Sequence, residues 1–267
     1  MVKTITSRHN PIVSRFRSLT DAPDPTGTHL LLDGAHLVRD ARRSELFIDV
    51  VAVASSKLHS NSDEGRLAQT LASEGVDVIE TSDEVFDALS PVRAPSGIAA
   101  IVERRPSNAS AMCARDEALL LVAIDVQEPG NVGALLRSAE AGGVTGAFVC
   151  GASANPFSWK AVRGSMGSAL RLPIIANANT DAVLSCIKDA GARLVATIPR
   201  GGDDPDMVDW RGKMAIVLGG EGPGLPMGVL AQCDASVSIP MAKNVESLNV
   251  AVAAAILVYA ARRSRRR

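Results

Sequence analysis

The chain has 267 residues, enough for two modest domains that each bury a core of their own. Apolar residues make up 46% and charged residues 21%, as in an ordinary globular protein, and the formal net charge is −1. Its four cysteines include no C-x-x-C pair, which argues against a zinc site or a disulfide framework and is typical of a reducing cytoplasm. No apolar run approaches the ~18 residues of a membrane helix, so we expect no membrane partner.

Basic residues are concentrated at both ends of the chain. The first twenty residues contain Lys3, Arg8, Arg15 and Arg17 without an acidic residue, and residues 262–267 include five arginines. Such ends suit contacts with phosphate groups, although solvated, frayed termini have the same composition. Aromatic residues are only 3%, which argues against a platform that reads RNA bases by stacking. Any RNA contact should therefore depend on shape, phosphate and backbone.

Short strands and helices are predicted to alternate in the first part of the chain. The strands are expected at 30–32, 47–54 and 76–79, and the helices at 35–43, 62–74 and 82–89. This alternation predicts a small α/β domain over residues 1–104. The small and polar residues of 105–118 predict a linker.

Residues 119–267 predict a larger α/β domain with a buried, mainly parallel sheet. Its apolar strands are expected at 119–125, 144–150, 193–198, 214–218 and 236–239. A helix from about 132 to 141 should follow the turn at Pro129 and Gly130. The last helix, 250–261, is almost wholly apolar. A helix that is apolar on every side must be covered on every side, and a partner subunit would provide that cover.

Three segments of this second domain follow the carboxyl ends of predicted strands, where open α/β sheets bind ligands. The first carries Asn131 and Arg137, and the second places Glu221 among the glycines of 219–224. Glycines allow a backbone to approach a ligand closely and to adopt positive φ angles. The alternatives are that Asn131 simply caps a helix, that Arg137 lies on a solvated face and that the glycines form a turn.

A third segment, with Ser247 and Asn249, comes directly before the last helix, which either residue could simply cap. All four histidines lie in the first sixty residues, so imidazole-based acid–base or nucleophilic catalysis is excluded from the second domain. The second domain also lacks an H-E-x-x-H or comparable cluster, and we expect no metal.

Together these segments resemble the three motifs of the SpoU/TrmH branch of the SPOUT methyltransferases. The matching stretches are 131–133 with Arg137, 219–222, and 239–241 through 247–249; residues 163–169 also resemble the R-x-S-x-G-A pattern of the family. The resemblance implies an S-adenosylmethionine-dependent RNA ribose 2′-O-methyltransferase. It also implies a deep trefoil knot in the C-terminal SPOUT domain, and a homodimer with the site at the subunit interface.

The first domain resembles the RNA-binding domain of this family, which is related to ribosomal proteins that bind kinked RNA. The matching stretches are 6–11, 32–38 and 94–100, with Asp33 where glutamate is commoner. The resemblance implies that this domain captures RNA while the second domain carries out the chemistry.

The resemblance also implies roles for individual residues. The expected catalytic residues are Arg137, Asn131, Glu221, Ser247 and Asn249. The expected cofactor-binding residues are Thr197, Leu218, Gly219, Ile239, Met241 and Leu248. The expected RNA contacts are Arg8, Asn10, His36 and Arg43.

Large-subunit ribosomal RNA of the 23S type is the first expected substrate, and transfer RNA is the second. One competing hypothesis is a non-catalytic RNA-binding protein on the same scaffold. Another is a nucleotide-dependent enzyme acting on a small molecule, but the chain has no phosphate-loop signature and this hypothesis leaves the first domain unexplained.

Overall fold

The computed structural model describes residues 3–266, which form two compact units. The first unit comprises 3–105 and 157–170, and the second comprises 106–156 and 171–266. Residues 157–170 thus belong to the first unit, although they separate two strands of the second along the chain. The sequence predicts a single boundary, the linker at 105–118, and so does not predict that residues 157–170 belong to the first unit.

The first unit is built on a five-stranded mixed sheet in the order β1-β4-β3-β5-β2. Its elements are β1 (Lys3–Ile5), α1 (Pro11–Asp21), β2 (His29–Asp33), α2 (Ala35–Arg43), β3 (Phe47–Ala54), α3 (Ser55–Leu58), α4 (Asp63–Ser73), β4 (Val78–Thr81), α5 (Asp83–Leu89) and β5 (Ile98–Glu103). β5 runs antiparallel to both of its neighbours, whereas β1, β4 and β3 are parallel. The α2 and β3 bounds agree with the sequence prediction, and β4 starts two residues later than predicted. Four elements of this unit were not predicted: β1, α1, α3 and β5.

The segment 157–170 completes the first unit by close packing. Phe157 lies against Gly27, where an added Cβ would come within 2.3 Å of the phenyl ring. Gly27 also has a positive φ of 67°, so only glycine fits this position without strain. The guanidinium of buried Arg104 lies 4.9 Å from the centroid of the same ring, in a cation–π contact.

The second unit contains a six-stranded parallel sheet in the order β11-β9-β10-β6-β7-β8. Its elements are α6 (Ala109–Cys113), β6 (Leu119–Ile124), α7 (Pro129–Gly142), β7 (Gly146–Cys150), β8 (Ile174–Ala178), α10 (Thr180–Asp189), β9 (Arg193–Thr197), β10 (Met214–Gly219), α11 (Met227–Leu230), β11 (Ala235–Val237) and α12 (Val250–Arg265). Two further helices, α8 (Trp159–Gly164) and α9 (Ser168–Arg171), lie between β7 and β8 along the chain, on the segment that returns to the first unit. Every residue of the central strand β6 is buried, as its unbroken apolar run predicts.

Four elements of the second unit, α6, β8, α10 and α11, were not predicted from the sequence, and the first two are informative. Helix α6 lies inside the predicted linker, and its Met112 and Cys113 are buried in the core of this unit. Strand β8 has an irregular register with β7, and Asn177 within it has a positive φ of 51°. Neither element has the length or regular periodicity that a sequence pattern can detect.

The last helix, α12, packs on α7 at a position where Gly142 is required. A Cβ on Gly142 would lie 1.9 Å from a methyl carbon of Val258, so a larger residue would force the helices apart. In the single chain, α12 is not covered on all sides, and the cover expected from a partner subunit stays a prediction. Val252, Ile256 and Tyr259 form an exposed stripe on α12, with 48%, 38% and 42% of their surfaces accessible.

The C-terminal arginines contact the protein itself. Arg262 donates to the carbonyl oxygen of Ala141, and Arg263 forms an ion pair with Asp206 at 2.7 Å. Arg265 donates to backbone carbonyls that include those of Trp210 (2.8 Å), Glu117 (2.9 Å) and Ala118 (3.1 Å). Arg262, Arg263 and Arg265 thus have partners within the second unit, and a contact of this run with phosphate stays a prediction.

Candidate active site

The carboxyl ends of three adjacent strands, β11, β9 and β10, surround a cavity of about 340 Å³. All the residues predicted to bind the cofactor line it: Thr197, Leu218, Gly219, Ile239, Met241 and Leu248. Three of the predicted catalytic residues line it as well: Glu221, Ser247 and Asn249. Three distant stretches of the chain therefore converge on one cavity, at the sheet edge where the sequence predicts a ligand site.

Three side chains from the three motifs form a hydrogen-bonded series that we call the amide relay: Asn249, Asn131 and Glu221. The oxygen of Asn249 caps α12 by accepting from the backbone N–H groups of Ala251 (2.9 Å) and Val252 (3.3 Å). Its amide nitrogen is thereby directed at the oxygen of Asn131, 2.9 Å away. The nitrogen of Asn131 in turn donates to the carboxylate of Glu221. The helix cap thus determines the orientation of both amides.

Asn131 is available for this relay because it does not cap α7. The helix begins at Pro129, three residues earlier than predicted, and Glu128 is its N-cap, with a carboxylate oxygen 3.5 Å from the N–H of Gly130. Proline suits the first helical position, since its missing N–H is not needed there and its φ is preset. Asn131 therefore lies within the first turn, and the alternative that it only caps the helix is wrong.

The glycine-rich loop after β10 lies directly against the end of β6. A Cβ on Gly220 would be 1.8 Å from the carbonyl oxygen of Asp125, and a Cβ on Gly219 would be 2.4 Å from the backbone of Gly224. Asp125 itself has a positive φ of 59°, and its carboxylate accepts a 2.7 Å hydrogen bond from the N–H of Ala152. Gly219 and Gly220 are needed for these stretches of backbone to pack this closely, independently of any ligand.

The lining of the cavity fits S-adenosylmethionine in two respects. The hydroxyl oxygen of Thr197 is buried and has no hydrogen-bond partner among residues 3–266, so a polar group of a ligand would satisfy it. The walls otherwise combine apolar side chains, such as Leu218 and Ile239, with loop backbone from Gly219 to Gly222. An adenosine ring and its polar edge require this combination of surfaces.

Arg137 lies two turns into α7, is exposed, and is absent from the cavity lining. Its guanidinium forms no hydrogen bond or ion pair with any other residue that the structure describes. By contrast, Arg171 of the same unit forms a bidentate pair with Glu140, at 2.6 and 2.8 Å. The charge of Arg137 is therefore available to an external anion.

Two of the predicted RNA contacts are exposed cations of the first unit. Arg8 lies 3.9 Å from Glu84, and 59% of its side chain is accessible. Arg43 ends α2, and its side chain is also exposed. Such loosely held arginines can contact a polyanion at little cost.

The other two predicted RNA contacts have structural partners. Asn10 is the N-cap of α1, where its side-chain oxygen accepts from the N–H of Ile12 at 2.9 Å. His36 lies 3.5 Å from Asp40, one helical turn away. Asn10 and His36 therefore each have a structural role that does not depend on RNA.

Several residues of the site were not predicted from the sequence. Pro199, Gly224 and Ala253 also line the cavity. Pro199 lies two residues after Thr197, and Gly224 belongs to the glycine-rich segment 219–224, so position along the chain was the available signal for these two. Cys150, buried at the end of β7, does not line the cavity. Burial, with a smaller contribution from the charge of Asp125, raises the pKa of its thiol to about 12, so it stays protonated and is a poor nucleophile.

Residues 3–266 contain no group of three or more histidine, cysteine or acidic side chains that could hold a metal ion. Within the same range, no helix has both the length and the apolar character needed to cross a membrane.

Comparisons with known proteins match nearly the whole chain. A model of the SpoU rRNA Methylase family matches residues 118–259. The 23S rRNA (guanosine(2553)-2′-O)-methyltransferase RlmP of Bacillus subtilis is 30% identical over 259 residues, covering 97% of this chain and 98% of that protein. The crystal structure of an AdoMet-bound rRNA methyltransferase from Sinorhizobium meliloti matches with a TM-score of 0.84 at 30% identity, covering 98% of both chains.

A further structural neighbour supports the fold. The SpoU methyltransferase AviRb of Streptomyces viridochromogenes, in complex with AdoMet, has a TM-score of 0.81 at 24% identity and covers 95% of this chain and 98% of that one.

The fold and the cavity, together with these matches, define the class: an RNA methyltransferase with S-adenosylmethionine as its cofactor. Within that class, the chain belongs to the SpoU rRNA methylase family. The predicted family, enzyme class, cofactor and α/β fold with a mainly parallel sheet are thereby confirmed.

Proposed function

We propose that this chain transfers a methyl group to a ribose 2′-hydroxyl of 23S-type large-subunit ribosomal RNA. The observation that carries the proposal is the amide relay, which joins all three motifs beside the cavity. The choice of RNA is supported by RlmP, whose name specifies 2′-O-methylation of 23S rRNA and which aligns over nearly the whole chain. A location in the cytoplasm follows from that substrate.

The cofactor would be held by the cavity walls. Thr197 would offer its buried hydroxyl, and the backbone near Gly219, Ile239 and Leu248 would cradle the adenosine part, with Leu218 and Met241 providing apolar surface. When bound, S-adenosylmethionine supplies an electrophilic methyl group. The apolar walls would exclude water from that group and so protect it from hydrolysis.

Glu221 and Asn131 would position the ribose, and Ser247 and Asn249 would shape the edge of the cavity. Arg137 would bind the phosphate next to the target ribose and stabilise the negative charge that develops on the 2′-oxygen. A guanidinium remains protonated near neutral pH, so it does not serve as the base. The proton of the 2′-hydroxyl would leave to water or to that phosphate.

We also infer a homodimer, with the exposed stripe on α12 as part of its interface. Val252, Ile256 and Tyr259 lie at helical spacing on one face, and a second copy would remove their apolar surface from water. The trefoil knot implied by the resemblance stays a prediction. It is compatible with the sheet order, in which β10 lies between β9 and β6 while β11 lies beyond β9.

The first unit would capture RNA through exposed cations such as Arg8 and Arg43. Because residues 157–170 belong to this unit, deleting residues 1–104 would leave part of it without its core. Substitution in the full chain is the better test. Arg8→Ala/Arg43→Ala should raise the KM for RNA about tenfold, with the Kd for S-adenosylmethionine unchanged.

The decisive experiment measures transfer of tritiated methyl groups to an unmodified 23S rRNA transcript and, separately, to bulk transfer RNA. We expect incorporation into the rRNA only. Arg137→Ala should lower turnover by a factor of about 100 or more while cofactor binding, measured by calorimetry, stays within twofold.

Lys188→Ala is the matched control, since Lys188 is also an exposed helical cation of the second unit. A near-normal rate in Arg137→Ala would remove Arg137 from the mechanism. Incorporation into transfer RNA alone would replace the proposed substrate with the second candidate. No transfer to either RNA by folded, cofactor-binding protein would favour a non-catalytic RNA-binding role.

A further inference from the structure

A second cavity, of about 440 Å³, adjoins the cofactor cavity. The two share Pro199, Ile239 and Met241 in their linings, so the same residues form a wall of each. The second cavity extends along the loop that follows β9 and the loop that follows β11, both at the carboxyl edge of the sheet. The residues found only in this cavity are neither predicted catalytic residues nor predicted cofactor ligands.

Two cations, Arg200 and Lys243, line this cavity from the two different loops. Both are exposed, and within residues 3–266 neither side chain forms a hydrogen bond or an ion pair. Other cations of this unit are satisfied by the protein: Arg211 pairs with Asp209 at 2.8 Å, and Arg263 pairs with Asp206 at 2.7 Å. An external anion is therefore the natural partner for the two cations in the cavity.

The other polar groups of the cavity permit an anion. Its one acidic lining residue, Asp204, accepts a 2.9 Å hydrogen bond from the N–H of Asp206, so its carboxylate is engaged in its own turn. The backbone N–H groups of Arg200 and Gly201 donate to no acceptor among residues 3–266. The lining thus has two cationic side chains and two free amide donors against one carboxylate.

Glycine is required to form this loop. A Cβ on Gly202 would come within 2.7 Å of the backbone of Val237 in β11, and Gly201 has a positive φ of 84°. The N–H of Gly202 donates to the hydroxyl of Ser238 at 2.9 Å, and that hydroxyl donates to the carbonyl of Ile198 at 3.0 Å. These contacts hold the loop that carries Arg200 against the sheet edge.

We propose that the cavity lined by Arg200 and Lys243 binds a second phosphodiester of the substrate RNA, other than the one assigned to Arg137, close to the nucleotide whose ribose is methylated. The proposal deepens the proposed function and rests on it. The cavity shares a wall with the cofactor cavity, so a phosphate bound there would hold the neighbouring ribose near the methyl donor. The contact carries no base specificity, because phosphates are common to all sequences, and it would act by positioning.

The test compares two double variants of the full chain. Arg200→Ala/Lys243→Ala removes the proposed contacts. Arg193→Ala/Lys188→Ala removes the same two charges near the amino end of β9, at the opposite edge of the sheet. Both residues are exposed there, and within residues 3–266 neither side chain forms a hydrogen bond or an ion pair. The probe is an unmodified 23S rRNA transcript, measured by filter binding over a range of salt concentrations, with S-adenosylmethionine binding measured by calorimetry.

We expect the first variant to bind the transcript about tenfold more weakly, with its log–log salt slope reduced by about 0.7 for each contact removed. The control should bind RNA like the wild type, and both variants should bind S-adenosylmethionine within twofold of it. An equal loss of RNA binding in both variants would show that the effect depends only on overall charge, and it would overturn the proposal. So would unchanged RNA binding in the first variant, or a parallel loss of cofactor binding.

The proposed function and this proposal fail in different ways. If the wild type transfers no methyl group to the transcript, the proposed activity fails, while filter binding still compares the two variants. If the wild type methylates the transcript but the first variant retains the wild-type Kd and salt slope, only the phosphate site is lost.

Discussion

The side-chain amide of Asn249 donates a 2.9 Å hydrogen bond to the side-chain oxygen of Asn131, which lies 118 positions earlier in the chain. The other end of the Asn249 side chain caps α12. One residue therefore both begins the last helix and orients the amide that reaches Glu221. The stability of the helix and the geometry of the site are coupled through a single side chain.

Asn249→Asp should separate these two roles. A carboxylate still accepts from the first N–H groups of α12 and is favoured near a helix N-terminus, so the free energy of unfolding should stay within about 0.5 kcal/mol of the wild type. The carboxylate cannot donate to Asn131, so we expect methyl transfer to fall by about 100-fold. Urea unfolding and a methyl-transfer assay measure the two effects.

Asn249→Ala is the comparison for that prediction. It loses both the cap and the relay, so it should be destabilised by about 1 kcal/mol and be equally inactive. Full activity in Asn249→Asp would show that the hydrogen bond to Asn131 is not needed for catalysis.

Gly220→Ala should destabilise the second unit. Its Cβ would lie 1.8 Å from the carbonyl oxygen of Asp125, and neither backbone can move without displacing a strand end. We expect a loss of about 1–3 kcal/mol in urea unfolding. Gly228→Ala in α11 is the matched control, because nothing lies within 4 Å of its Cβ, and it should be neutral or slightly stabilising. Equal stability of the two variants would contradict the close packing of the glycine loop.

Thr197→Val should stabilise the free protein but weaken its binding of S-adenosylmethionine. The substitution preserves shape and removes a buried hydroxyl that has no partner among residues 3–266, so the free protein should be more stable by about 1 kcal/mol. Cofactor binding should weaken about tenfold if that hydroxyl contacts the ligand. Thermal unfolding with and without S-adenosylmethionine checks both effects, and unchanged cofactor affinity would exclude the hydroxyl from the binding site.

Asp33→Asn should stabilise the protein in a pH-dependent way. Burial raises the pKa of the Asp33 carboxyl above its ordinary value of 3.8, with partial opposition from the hydroxyl of Ser90 and the charge of Arg163. The folded state therefore holds this proton more tightly than the unfolded chain, and stability falls as the pH rises from 3.8 through the raised pKa. The advantage of the variant in urea unfolding should be small at pH 4 and larger at pH 7.

Asp77→Asn provides the control for that measurement, since it removes one exposed carboxylate of the same unit. A gain in stability that is the same at both pH values would show that Asp33 does not ionise with a raised pKa in the folded state.

Much of the site could be predicted because its signals are local in the chain. Glycines clustered after an apolar strand predict a close backbone turn, and every residue predicted to bind the cofactor does line the cavity. The bounds of α2 and β3 were predicted for a similar reason, since each has the hydrophobic periodicity of its own element.

The sequence by itself determined the bounds of α2 and β3, the buried parallel sheet and the three segments that carry the chemistry, because strand periodicity and turn composition are properties of neighbouring residues. Only the tertiary structure decided that Asn131 bonds to Asn249 instead of capping α7, that residues 157–170 belong to the first unit, and that Arg265 is bound to backbone carbonyls. Each of these depends on groups far apart in the chain, whose contacts are set by packing and by the need to satisfy hydrogen-bonding groups, and no local pattern encodes them.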